Sequence, residues 1–211
     1  MPKQKVPLQT LADYLPDNTC DEVLLHLNRH KVQLTVTRQR QTILGDYRNA
    51  HQGKNHRISV NGNLNKFSFL ITLLHELAHL FTFEEFGHKV SPHGKEWKKK
   101  YSLLLEEFIQ KNIFPDDIKT VLLKTMKNPA ASTCGDPALL RVLKNYDKKK
   151  EGYQTVEQTP PGTLFEIKGG RRFLKAEKIR TRYHCVETAT GKQYLFSGLY
   201  EVKIVGNQDH L

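Results

Sequence analysis

The sequence predicts an α+β protein: a helical domain built round a small β-sheet, followed by a small all-β module. Three observations carry that prediction. Residues 67–86 are apolar on nearly every side, as a helix buried in a domain core is. Short β-branched runs precede this segment, and a stripe with helical spacing follows it. After Thr163 the pattern changes to short strands separated by glycine turns.

In chain order, residues 8–27 read as one or two short helices broken at Pro16, with Asp17 or Thr19 capping the second. Residues 32–36, 42–48 and 56–60 read as strands of a small sheet. The Asn61-Gly62-Asn63 turn leads from that sheet into the long helix, with Asn65 as its N-cap and Gly87 as its stop. A second long helix is expected over about 94–112. Its stripe of Trp97, Tyr101, Leu104 or Leu105, and Phe108 reads as core, with Lys98, Lys99 and Lys100 on the solvated side. Asp136-Pro137 opens a short helix that runs to Tyr146. The expected organisation is a first domain at 1–128, a short helix and linker at 129–162 ending in Pro160-Pro161-Gly162, and the β-module at 163–208.

Composition narrows the setting. The 211 residues carry 33 Lys and Arg against 22 Asp and Glu, a formal charge of +11, which favours polyanionic partners, nucleic acid before a membrane surface. Cys20, Cys134 and Cys185 are odd in number and far apart, so a disulfide scaffold is not expected. No uncharged apolar run is long enough to span a bilayer, and the first residues lack the apolar core of a secretion signal. A cytoplasmic setting, the nucleoid included, is the expectation.

His75-Glu76-Leu77-Ala78-His79 is the most informative stretch. Helical residues four apart share a face, so both imidazoles can grip one metal ion, and Glu76 lies one step round the helix as general base on water. That is the pattern of a zinc-dependent peptidase with a zincin-like domain. The competing reading makes both histidines core residues satisfied by backbone carbonyls. Three polar residues inside an apolar helix are costly to bury unless paired or metal-bound, which favours the metal. A catalytic zinc needs a third protein ligand. Thr82 and Glu85 exclude an HxxGxxH extension, and His88, His93, the Glu84/Glu85 pair and the Glu106/Glu107 pair remain. His93 sits in the tight turn Ser91-Pro92-His93-Gly94; Glu84 and Glu85 are disfavoured because they share the helix of the His pair.

Leu74-His75-Glu76-Leu77-Ala78-His79 followed by His93-Gly94-Lys95-Glu96-Trp97 resembles the SprT-like metalloprotease family, which includes the Spartan proteases. That family follows its HExxH helix with an HG-x-x-aromatic segment, usually HGP, and Ile58-Ser59-Val60-Asn61 before the helix is similar too. The resemblance covers roughly residues 8–126. It implies one catalytic Zn2+ with His93 as third ligand ahead of Glu106/Glu107 and His88, and protein substrates held near DNA. Lys95 stands where proline is usual. Many relatives end in a four-cysteine zinc ribbon. Here there is no CxxC, and Cys134, His184 and Cys185 are too few and scattered, so a metal-free β-module is expected in the ribbon's place.

Within that module Lys168, Arg171, Arg172, Lys175, Lys178, Arg180 and Arg182 face a single acid, Glu177, with Phe173 and Tyr183 interleaved. Cations for phosphates and rings for stacking are the equipment of a sequence-tolerant nucleic-acid binder, and Arg171, Arg172, Lys175, Lys178, Arg180 and Arg182 are the candidate contacts. The functional expectation is a zinc endopeptidase that cleaves DNA-associated proteins with Glu76 as base. Tyr101 and His88 are the only side chains suggested as oxyanion donors. The rival from another class is a nucleic-acid-binding, transcription-related protein whose zinc site is structural or vestigial; a second is a housekeeping peptidase that never meets nucleic acid.

Overall fold

Asn65 starts the central helix by accepting a hydrogen bond from the Ser68 N–H at 2.9 Å, and Gly87 ends it in a left-handed conformation at φ +60°. Between them α2 (Lys66–Phe86) is buried continuously over residues 69–78 in a computed structural model that describes residues 8–40, 42–130 and 135–205. Cys134 lies outside the described residues. The chain divides into two compact units between Asp147 and Lys148.

The first unit begins with a 3-10 turn at Leu8–Tyr14 and helix α1 (Cys20–Arg29). Strands β1 (Gln33–Thr37), β2 (Gly45–Arg48) and β3 (Arg57–Asn61) form a sheet in the order β1-β3-β2. β3 is central and supplies the buried Ile58 and Val60; β1 runs parallel to it and β2 antiparallel. The Arg40 guanidinium holds the edge in register, donating to Asn61 Oδ1 at 2.7 Å, to Ser59 Oγ at 3.0 Å and to the Leu44 carbonyl at 3.3 Å. α2 packs on β2 and β3 and, on another side, on α3 (Lys95–Gln110).

A helix absent from the sequence expectation, α4 (Asp116–Thr125), follows. Pro115 precedes it and Asp116 and Asp117 occupy its first turn, a start signal that complements the helix dipole; Ile118 and Leu122 are buried. α5 (Pro137–Leu143) is capped by Asp136, as the sequence suggests, but belongs to the first unit rather than to a linker. Leu139 and Leu143 join the first core, Asn65 Nδ2 donates to the Leu143 carbonyl at 2.9 Å, and the Tyr146 hydroxyl donates to Asp117 at 2.7 Å. The boundary therefore falls at 147/148, not at 128 and 162.

The second unit is a six-stranded antiparallel sheet in the order β4-β9-β5-β6-β7-β8. Its strands are β4 (Tyr153–Thr155), β5 (Leu164–Glu166), β6 (Arg172–Ile179), β7 (Arg182–Glu187), β8 (Gln193–Ser197) and β9 (Glu201–Ile204). β4 lies inside the stretch expected to be a linker; its three residues pair with β9 and are too few to show alternation in sequence. Val156, Phe165, Phe173, Cys185 and Val202 form a core of the unit's own. Among the described residues no helix is long and apolar enough to cross a membrane.

Candidate metal centre

Two residues of the site come from one turn of α2 and a third from the loop before α3. His75 and His79 present their Nε2 atoms 3.2 Å apart. The Ser91-Pro92-His93-Gly94 turn is closed by the Gly94 N–H donating to the Ser91 carbonyl at 3.0 Å, and it places His93 Nε2 3.3 Å from His75 Nε2. Tetrahedral ligands at zinc–nitrogen distances of 2.0–2.1 Å would lie about 3.3–3.4 Å apart, so the spacing fits a zinc ion. The chemistry of the donors fits as well. Burial, reinforced by the neighbouring His79 and His93, depresses His75 to about 3. Burial and His93 bring His79 to about 4, and burial lowers His93. All three rings are neutral near pH 7 and offer lone pairs, the form that binds a metal.

Trp97 is the floor under this group. It is fully buried, its ring centroid 4.7 Å from His75, 5.4 Å from His79 and 4.7 Å from His93. Tyr47 on β2 lies parallel to the His79 ring, and its hydroxyl is engaged with His56 Nδ1 at 2.9 Å.

Glu76 is 6% exposed and turned towards β2. Asn61 donates its N–H to the Leu44 carbonyl, so by antiparallel alternation the Tyr47 N–H faces away from β3, and it is one of the groups that lower the Glu76 carboxyl. A Cβ on Gly45 would lie 2.8 Å from Thr72 Cγ2, 2.9 Å from Glu76 Cγ and closer still to Oε1, so only glycine leaves the carboxyl its space. Burial pushes Glu76 up to about 8; the Asp46 carboxylate adds to the shift, while Arg40 and the Tyr47 N–H oppose it. A carboxyl poised near neutrality is suited to taking and returning a proton.

The other ligand candidates stand apart from this group. Glu84 pairs with His30 at 2.7 Å and Glu85 with Lys100. His88 is exposed against the Phe83 ring, Glu106 is exposed and accepts from Gln110, and Glu107 pairs with His26 at 3.3 Å. Glu22, His26 and Glu107 form a second group of ligating atoms, but the Lys111 ammonium bridges both carboxylates and already supplies the positive charge.

Residues 11–113 match the model of the SprT-like family, from the 3-10 turn before α1 to just beyond α3, with His75, Glu76, His79, His93 and Trp97 all inside the match. Over those residues the chain is SprT-like. That family is of metallopeptidase type and typically zinc-dependent. No curated protein and no solved structure matches the chain.

The second unit lies beyond the family match, and its cations have separate fates. Arg171 pairs with Glu187 at 2.6 Å and Arg172 with Glu166 at 3.2 Å. Lys175 corrects the sequence reading: it is 4% exposed, its ammonium donates to the carbonyls of Val156 and Thr159, and its place is inside the module. Phe173 likewise is fully buried and offers no face for stacking. Lys178, Arg180 and Arg182 are exposed around the β6–β7 hairpin, whose turn Arg180 enters at φ +54°, and make no ion pair among the described residues. Cys185 is buried in the module core, where burial raises its thiol to about 11, and no metal-ligating group forms round it among the described residues.

Sequence reasoning missed Gly45 and Arg40, which make room for Glu76 and hold β2. Neither carries a motif. Their roles arise from the approach of β2 to α2.

Proposed function

We propose that this SprT-like protein is a zinc-dependent endopeptidase acting on proteins held near DNA. The observation that carries the hydrolytic reading is the convergence of three neutral imidazoles with a buried, proton-exchanging carboxyl one residue from the first of them. His75, His79 and His93 would hold the zinc. A zinc ion bound there supplies Lewis acidity, acidifying water and polarising a peptide carbonyl. Glu76 takes the proton of the attacking water and returns it to the leaving amine, and Gly45 leaves its carboxyl room. Burial of α2 excludes bulk water from beneath these groups. A structural zinc is held by four protein ligands, whereas this group has three among the described residues, which favours hydrolysis over a structural role.

The DNA element of the reading rests on the net charge of +11 and the three cations of the β6–β7 hairpin that pair with no acid among the described residues. Tethering enzyme and substrate to one polyanion raises their effective concentration without a conformational switch. The test digests a DNA-binding protein with and without duplex DNA. Faster cleavage on DNA is expected. Reversal of Lys178, Arg180 and Arg182 to Glu is expected to weaken duplex binding and to make the salt slope shallower by about 0.9 per lost phosphate contact. Unaltered DNA affinity in that variant would remove the nucleic-acid element. No hydrolysis of either substrate by zinc-loaded protein would remove the peptidase itself.

A further inference from the structure

We propose that the Tyr101 hydroxyl is a catalytic hydrogen-bond donor to the carbonyl oxygen that gains negative charge when the peptide bond is attacked. The inference rests on the peptidase reading and adds to it the group that meets the oxyanion. α3 carries Trp97 and Tyr101 one turn apart, their rings stacked with centroids 4.9 Å apart, and Tyr101 stands edge-on to His75 at 5.5 Å. The ring thus sits in the wall of the metal centre and is 5% exposed.

A buried tyrosine ordinarily spends its hydroxyl on a protein partner. Two others near α2 do so, Tyr47 bonding His56 and Tyr146 bonding Asp117, whereas Tyr14, only half-buried against Phe69, makes no such bond among the described residues. Tyr101 has no hydrogen bond to any described residue. Nor is its oxygen among the polar atoms sealed from solvent without a partner, which among the described residues are those of His26, Arg57, Trp97 and His184. The ring is packed edge-on to His75, and the hydroxyl is unspent among the described residues. Burial, with the charges of Glu76 and Asp136 adding, raises the phenol, so the hydroxyl keeps its proton for donation. The other suggested donor, His88, is exposed beyond the end of α2 against Phe83.

Bond changes in the step balance without a further reagent. The water oxygen bonds the carbonyl carbon, its proton passes to Glu76, and the carbonyl π pair becomes the charge on oxygen. Tyr101 donates a hydrogen bond to that oxygen and transfers no proton. On collapse the carbon–nitrogen bond breaks and Glu76 protonates the amine.

Tyr101→Phe keeps the ring and its packing and removes only the donor. With fluorescein-labelled casein as the probe, kcat is expected to fall on the order of 10²-fold with KM little changed, because the bond strengthens only as charge develops. Zinc content and melting temperature should match the wild type. A phosphinic peptide, which mimics the tetrahedral carbon, should bind on the order of 10²-fold more weakly, whereas an ordinary peptide of the same sequence should bind to Glu76→Gln and to Glu76→Gln/Tyr101→Phe alike. Unchanged kcat and phosphinate affinity in an active enzyme would overturn the assignment. So would a loss of activity that tracks loss of zinc or of folding, which would mark a structural role. Equal rates for wild type and Glu76→Gln would instead overturn the peptidase reading on which the inference rests.

Discussion

Glu76→Gln is expected to abolish peptide hydrolysis, lowering the rate by at least about 10²–10⁴-fold, while zinc content stays at the wild-type level. The substitution keeps the shape of the side chain, which still fits the space that Gly45 leaves. Only the proton-accepting oxygen is lost. The stability of the metal-free variant has a predictable sign. A carboxyl raised to about 8 costs the fold stability that is lost progressively as pH rises from its unfolded value to about 8 and stays lost above it, because the charged form is favoured in the unfolded chain and disfavoured in the folded one. A neutral amide carries no such cost, so near pH 7 the variant should melt no lower than the wild type. Hydrolysis at the wild-type rate would show that Glu76 is not the base.

The second large effect is expected at Trp97. Trp97→Ala removes the largest fully buried side chain in the protein and the floor beneath all three histidine rings. Truncations of this kind cost about 3–5 kcal/mol, set by how far the surroundings collapse into the cavity. The rings would lose the wall that fixes their orientation, so zinc should dissociate more readily as well as the domain melting earlier. Denaturant unfolding and zinc retention during dialysis read the two effects. A change below about 1 kcal/mol with full zinc retention would contradict the role given to the indole.

The heart of the site was legible because it is local. His75, Glu76 and His79 are spaced by helix geometry alone, and their polarity inside an apolar helix has few explanations. His93 needed tertiary placement, since spacing left other ligands open until the turn before α3 was seen to fold back on α2. Gly45, Arg40 and the direction of the Tyr47 N–H were illegible for the same reason: they matter only where β2 meets α2. The parallel pairing of β1 with β3 was also hidden, because neither run of residues encodes its partner. Two features were readable in hindsight. Pro115 with Asp116 and Asp117 announces α4, and the period of two that buries Phe173 puts Lys175 on the same side, with exposed Leu174 between them. The allegiance of α5 depended on contacts with Asn65 and Asp117 that lie far away in sequence.

The account turns on which side chains bind metal, and the most direct measurement is zinc stoichiometry by mass spectrometry on the wild type, His93→Ala and Glu107→Ala. The account predicts about one zinc per chain in the wild type and in Glu107→Ala, and loss of zinc in His93→Ala. Full zinc in His93→Ala, with loss in Glu107→Ala, would contradict it.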